Sequence, residues 1–169
     1  MDLLKELTQA WGVSGREKKV RAIIEREITG YADECFTDAV GNLIAVKRGI
    51  PHPEKKKIML AAHMDEIGMQ VKKIESDGRI KVCNVGFIWT SSLYNDKVIF
   101  QNGTIGVVGC DGSVEEAKNN SGKLYIDIGC TTKEDAEKYV KVGDYAGFIG
   151  NYYELANSRI TSKSFDNRV

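Results

Sequence analysis

No hydrophobic run in this 169-residue sequence approaches the roughly 20 residues that a helix needs to span a bilayer. The sequence also lacks an excess of charge of one sign, because 24 Lys and Arg balance 24 Asp and Glu. This balance argues against nucleic acid or an anionic membrane as a partner. Residues 1–11 include acidic side chains and no small-residue cleavage site, so they do not resemble a signal peptide.

Cysteine and histidine are both scarce. The four cysteines are widely separated and form no CxxC pair, which argues against a zinc ribbon or a disulfide framework. We predict free, buried thiols and a cytoplasmic location. Of the two histidines, His52 lies between prolines in a charged loop and is predicted to be solvated, which leaves His63 as the candidate ligand. The cysteines are Cys35, Cys83, Cys110 and Cys130.

The first thirty residues are predicted to form two helices. Leu3, Leu7 and Trp11 recur at the spacing of one buried helical face, and Gly12 ends that helix. The sequence from Ser14 to Glu17 has the spacing of a capping box, in which the Ser and Glu side chains satisfy backbone donors at a helix start. The second helix is then predicted to end at Gly30.

Strand patterns follow the helices. Residues 33–37 and 42–47 are short β candidates, joined through a turn. The apolar run 58–62 (IMLAA) is typical of a strand covered on both faces in the centre of an α/β sheet. This order of helices and strands predicts the opening of an α/β domain.

The middle of the sequence predicts a different architecture. From Gly68 to Gly150, short alternating runs are separated by turn signals, which indicates a small β-sandwich or barrel. One helix is predicted after residues 131–134, which repeat the capping-box spacing. The runs are 70–74, 79–82, 97–101, 104–108 and 124–128. We therefore predict an α/β domain over residues 1–67, an inserted β-barrel domain over 68–158, and a return to the first domain over 159–169.

The sharpest chemical feature is His63 with Asp65, two residues apart where the predicted strand meets a turn. An imidazole there suits a transition metal, and a carboxylate on the same strand face suits the other ring N–H. A histidine that is merely hydrogen-bonded at a strand end is the alternative. The polar turn 162–168 has almost no functional weight alone, and His63 and Asp166 are too few ligands for a metal site.

Six segments in order nevertheless resemble one family. The sequence is similar to the TET (glutamyl or deblocking) aminopeptidases, some of which have been labelled endoglucanases. Any one segment is a weak match, but the ordered series is specific. The segments are 7–17 (LTQAWGVSGRE), 38–43, 62–68 (AHMDEIG), 124–129 (LYIDIG), 133–144 and 162–168 (SKSFDNR).

The resemblance implies a fold and a set of roles. The fold would be an α/β peptidase domain interrupted by a β-barrel domain through which subunits pair into a homo-oligomer. His63 would bind one metal, Asp65 would orient His63 as a catalytic residue, and Asp166 would bridge two divalent ions, zinc or cobalt. These ions would activate water to release N-terminal residues from peptides.

Two substitutions depart from the family pattern. Asn167 stands where the family often has a second aspartate, and residues 85–89 (VGFIW) replace a Gly-Gly-Trp-Asp run. In the family, the general-base glutamate and the remaining ligands follow the bridging aspartate.

The resemblance therefore predicts an incomplete half of the peptidase, inactive alone, with apolar surface exposed at residues 58–62. A separate chain would be one source of the other half. The alternative is a degenerate, non-catalytic assembly or binding module built on the barrel. An endoglucanase activity has no support, since no pair of carboxylates at glycosidase separation can be argued from the sequence.

Overall fold

The computed structural model describes residues 2–51, 54, 56–117 and 120–169, so His52 lies outside the described residues. The chain divides into two compact units. One unit runs to Asp65 and resumes over Tyr152–Val169, and Glu66–Asn151 forms the other. The sequence-based boundaries, after residues 67 and 158, stay a prediction of domain organisation, as does the insertion of the barrel into an α/β domain.

The first unit opens with the two predicted helices, α1 (Leu3–Gln9) and α2 (Lys18–Ile28). The predicted ribbon follows, with β1 (Glu34–Thr37) antiparallel to β2 (Leu43–Val46). The buried apolar residues of this unit lie on the two helices and in the segment between them, whereas Leu3, predicted on the buried face of α1, is 39% exposed. Val13 and Val20 are fully buried, and Trp11 is 7% exposed, in agreement with the predicted core role of this tryptophan.

The returning segment of this unit forms β9 (Tyr153–Leu155), β10 (Arg159–Thr161) and the short helix α5 (Phe165–Arg168). β9 and β10 pair antiparallel with each other. These three-residue strands are too short to show the two-residue alternation on which the prediction of strands depends.

Residues 58–62 do not form the predicted buried strand. The segment has no assigned secondary structure, and Ile58 and Leu60 are 87% and 93% exposed. A strand exists only through pairing with a neighbour, and none of the described residues pairs with this segment. The predicted exposure of apolar surface at these residues is confirmed.

The second unit is a closed antiparallel barrel of six strands, so the prediction of a barrel is confirmed. The spatial order is β3-β4-β7-β6-β5-β8, and pairing of β8 with β3 closes it. The strands are β3 (Gly68–Ile74), β4 (Ile80–Val85), β5 (Lys97–Phe100), β6 (Ile105–Cys110), β7 (Leu124–Asp127) and β8 (Tyr145–Phe148).

Alternate side chains of these strands fill the barrel. The turn between β3 and β4 needs a glycine, because Gly78 has φ +85° and an added Cβ would lie 2.4 Å from the carbonyl oxygen of Cys130. The interior residues that are at most 4% exposed include Met69, Val71, Ile74, Ile80, Val82, Val98, Phe100, Val108, Leu124 and Ile126.

Two short helices, α3 (Val114–Ala117) and α4 (Lys133–Ala136), complete this unit. The cap of α4 is Thr132, whose hydroxyl accepts the backbone N–H of Asp135 at 3.2 Å, one residue later than the predicted capping box. No helix in the described part of the chain is long and apolar enough to cross a membrane.

The burial predicted for the cysteines is wrong. All four cysteines are free, as predicted, but none is buried, and Cys83 is exposed because its position on β4 points away from the barrel interior. Trp89 is also largely exposed, at 71%. It follows β4 in a loop, where no sheet neighbour covers an indole ring.

Replacing a buried isoleucine of the barrel by alanine should destabilise the barrel more than the same replacement at an exposed position. Ile126→Ala removes a fully buried side chain and should lower the free energy of unfolding of the barrel by about 3 kcal/mol. Ile105→Ala, on the neighbouring strand at 58% exposure, should cost less than about 1 kcal/mol. Urea denaturation followed through amide signals of the barrel strands measures both. Equal losses would contradict the assignment of Ile126 to the interior.

Candidate metal centre

His63 lies between two carboxylates. Its ring Nδ1 is 2.9 Å from Oδ1 of Asp65, and its Nε2 is 3.1 Å from Oδ1 of Asp166. The structure thus brings together all three residues that the sequence analysis selected. The imidazole is 52% exposed and Asp166 is 92% exposed, so both remain accessible from solvent.

Asn167 fixes the backbone at His63. Its side-chain oxygen accepts the backbone N–H of His63 at 2.6 Å, across 104 residues of sequence. An aspartate at this position would offer the same kind of acceptor. Asn167 departs from the family pattern, but its side chain still provides an oxygen that can accept this N–H.

Ser14 also belongs to the site, although the sequence analysis assigned it elsewhere. Its hydroxyl donates a hydrogen bond to Oδ2 of Asp65. The predicted capping box is wrong, because α2 is capped by Glu17 without any side-chain hydrogen bond, and Glu17 accepts the N–H of Gly15 at 2.5 Å instead. The segment 7–17 carried the family resemblance, which was the available signal for this residue.

Arg168 is the second residue that the sequence analysis missed. Its side chain is buried and donates to four backbone carbonyls in three segments. The acceptors are the oxygens of Leu7 (3.1 Å), Ala10 (2.6 Å), Gly12 (3.2 Å) and Met64 (2.6 Å). One guanidinium therefore connects the end of α1, the turn before Ser14 and the residue next to His63.

The two carboxylates set the electrostatics of the imidazole. Partial burial lowers the pKa of His63, but hydrogen bonds to Asp166 and Asp65 outweigh it, and the pKa is raised above its ordinary value. Burial raises the pKa of Asp65, but the hydrogen bonds from Ser14 and His63 outweigh it, and that pKa is lowered. Asp65 is accordingly a carboxylate at neutral pH, as an acceptor for the ring N–H must be.

A cleft of about 420 Å³ lies beside His63 within the same unit. One wall is apolar, from α2 and β2, and the other carries the polar residues of the site. The lining residues are Glu17, Ile24, Ile28, Val40, Gly41, Asn42, Leu43, Ala62, His63, Met64 and Asp65.

The donor set fits part of a metal site. An imidazole nitrogen and a carboxylate oxygen that face each other at 3.1 Å are both ligands of zinc and related ions. Among the described residues, no group of three or more His, Cys, Asp or Glu side chains has an arrangement that could hold a metal ion. Since a zinc site takes three or four protein ligands, His63 and Asp166 would be one edge of it.

Comparisons with known proteins identify relatives of this chain. The family model described as M42 glutamyl aminopeptidase matches residues 41–169. A relative in Acetivibrio thermocellus named "Putative aminopeptidase" is 43% identical over 99% of this chain and 49% of its own length. The lysyl aminopeptidase of Pyrococcus furiosus is 31% identical over 99% of this chain and 51% of its own.

Solved structures give the same result. A Thermotoga maritima protein described as an endoglucanase superposes with a TM-score of 0.83 at 41% identity, over 98% of this chain and 50% of that one. The Pyrococcus horikoshii TET1 peptidase, described as assembling into a tetrahedron or a large octahedral shell, gives 0.81 at 33% identity, over 99% and 52%.

The chain belongs to the M42 family of glutamyl aminopeptidases. The resemblance to TET aminopeptidases is therefore confirmed, including the endoglucanase label on a similar structure. The chain spans about half the length of the curated relatives that it matches.

The contact with Asp166 predicts a measurable change in the titration of His63. Asp166→Asn should lower the pKa of His63 in this chain, because the ring loses a charged acceptor. Since the folded-state pKa is raised, the protonated ring stabilises the fold below the unfolded pKa, and this contribution is lost as pH rises through the folded pKa. NMR titration of the two histidines measures the pKa of His63 in the wild-type chain and in Asp166→Asn.

The matched control for this titration is Glu154→Gln, which removes an exposed carboxylate in the same unit and should leave His63 unchanged. His52 provides an internal reference in each spectrum. An unaltered His63 pKa in Asp166→Asn would show that the two side chains do not interact in solution.

Proposed function

We propose that the whole protein is a metal-dependent aminopeptidase that removes N-terminal residues from unblocked peptides. Two divalent ions, zinc or cobalt, are its cofactors. The observation that carries the proposal is the His63 ring, held by Asp65 at Nδ1 and facing Asp166 with Nε2. Membership of a family of aminopeptidases supports it.

Each of the three residues has a role. His63 would hold a metal ion through Nε2, and Asp166 would supply a carboxylate ligand. Asp65 accepts the Nδ1–H of His63, which fixes the tautomer and the orientation of the ring. When bound, the two ions polarise the scissile carbonyl and lower the pKa of a water molecule. Asp65 acts on this chemistry only by holding the imidazole.

The remaining ligands and the general base come from a segment equivalent to the other half of the relatives. The support is that no group of three or more His, Cys, Asp or Glu side chains among the described residues could hold a metal ion by itself. The apolar side chains of residues 58–60 are exposed, and they would be buried if this stretch paired as a strand with such a segment. Residues 1–169 alone are accordingly expected to have negligible peptidase activity.

The test compares this chain with the protein produced by the native gene, whose intact mass is measured first. The native protein should release free N-terminal residues from peptides, lose activity to a chelator, and recover it with zinc or cobalt. N-acetylated peptides should not be cleaved. His63→Ala should abolish activity, and Asp65→Asn should lower it about 10- to 100-fold.

Glu154→Ala is the control variant in this assay, since it removes an exposed carboxylate of the same unit that has no proposed role at the site. Chelator-resistant activity, or full activity in His63→Ala, would refute the metal mechanism. Robust activity of residues 1–169 alone would refute the proposal that further ligands are required.

A second candidate function is an assembly module, because the barrel has a complete core of its own. Phe87 and Trp89 are 80% and 71% exposed after β4, with ring centroids 5.7 Å apart in an edge-to-face pair. Exposed aromatic pairs are typical anchors of protein interfaces. The homologous TET1 peptidase forms large shells. We propose that the barrel forms homo-oligomers through this pair.

Sedimentation of residues 1–169 without metal tests the assembly role. Self-association is expected at high concentration, and Trp89→Ser should weaken it about 30-fold. Tyr139→Ser, which removes another half-exposed aromatic ring of the same unit, should have little effect. A monomer at all concentrations would contradict this role.

A further inference from the structure

The two oxygens of the Asp65 carboxylate have different partners. Oδ1 accepts the hydrogen bond of the His63 ring at 2.9 Å, and Oδ2 accepts the hydroxyl of Ser14. The terminal torsion of an aspartate is broad, so a carboxylate with one partner can rotate and exchange its oxygens. A second hydrogen bond from the opposite side removes that freedom.

The Ser14 hydroxyl is free to make this contact because α2 does not use it. A serine three residues before a glutamate at a helix start ordinarily caps the helix. Here the cap position is Glu17, no side chain caps the helix, and the Glu17 carboxylate binds the N–H of Gly15. The hydroxyl points instead to Asp65, 51 residues further along the chain.

The residues that immediately precede Ser14 are closely packed and hydrogen-bonded. Val13 is fully buried, and its carbonyl accepts the N–H of Arg16 at 2.8 Å. The carbonyl of Gly12 accepts from buried Arg168. A Cβ at Gly12 would meet Val20 at 2.6 Å and Arg168 at 3.0 Å, so the chain approaches closely here. The position of the hydroxyl is therefore set by packing.

We propose that Ser14 is a positioning residue, whose hydroxyl holds Asp65 in the orientation that accepts the Nδ1–H of His63 and leaves Nε2 facing Asp166. This role of Ser14 rests on the proposed function, because the orientation of His63 matters for catalysis only if its Nε2 binds a metal ion. The contacts themselves all lie within one unit of this chain. Ser14 touches neither a ligand atom nor a substrate in this role and acts only through Asp65.

The first test reads the tautomer of His63 directly, without metal. Long-range ¹H–¹⁵N spectra of histidine-labelled chain, recorded above the titration of both imidazoles, distinguish the Nδ1–H and Nε2–H forms. All chains in this test carry Asp166→Ala, which removes the competing acceptor 3.1 Å from Nε2. With the wild-type Ser14, His63 should then be mainly the Nδ1–H form, whereas a free imidazole favours Nε2–H. Ser14→Ala should move His63 toward the free ratio, and Ser14→Thr, which keeps the hydroxyl, should retain the wild-type ratio.

The controls separate positioning from folding. Ser162→Ala removes another serine hydroxyl of the same unit, one that accepts a hydrogen bond from Gln9 at 2.7 Å, and should leave the tautomer unchanged. If Ser14→Ala does not fold, the pair Ser14→Thr and Ser14→Val, equal in shape, isolates the hydroxyl. A wild-type ratio in Ser14→Ala or Ser14→Val, or an equal shift in Ser162→Ala, would overturn the proposal.

A second readout is zinc affinity of the native protein, measured by calorimetry with the metal alone. Loss of a group that orients a ligand costs about tenfold in affinity, and Ser14→Ala should show a loss of that size or smaller. If wild type binds no zinc while the tautomer shifts as expected, the proposed function fails and the positioning role stands. Equal zinc affinity with an unchanged tautomer would refute the positioning role alone.

Discussion

The local order of the candidate site depends on one buried guanidinium. Arg168 donates to the carbonyls of Leu7, Ala10, Gly12 and Met64, which lie in segments far apart in sequence. Carbonyls at the end of a helix have no partner within it, and a cation there is favoured by the helix dipole. Removing this side chain would leave several buried acceptors unsatisfied, each at a cost of about 1–3 kcal/mol.

This constraint explains the positions of the other site residues. The turn that bears Ser14 follows Gly12, and His63 precedes Met64, so Arg168 connects the two segments that supply the contacts to Asp65. Asn167, the neighbour of Arg168, binds the backbone N–H of His63. Three consecutive residues, 166–168, therefore provide an acidic group, a side-chain acceptor for the backbone N–H of His63, and a buried cation that binds four carbonyls.

The two units depend on different kinds of stabilisation. The barrel closes on itself, so every strand has two neighbours and its apolar side chains are buried within the unit. In the other unit, the described strands form only two-stranded ribbons, and residues 58–60 keep their apolar side chains in solvent. The proposed completion by a further segment follows from this contrast.

The sequence alone determined the helices α1, α2 and α4, the β1–β2 ribbon and the barrel, and it selected His63, Asp65 and, through the family resemblance, Asp166. Periodicity and turn residues are local signals, and the two strands that they predicted to be joined by a turn, β1 and β2, are close in sequence. Only the tertiary structure decided the roles of Ser14 and Arg168, the exposure of Trp89 and the absence of a strand at residues 58–62. Each of these features depends on contacts between residues that are far apart in sequence. Ser14 would be expected to cap a helix if Asp65 were not within hydrogen-bond distance. An apolar run becomes a strand only when another strand pairs with it.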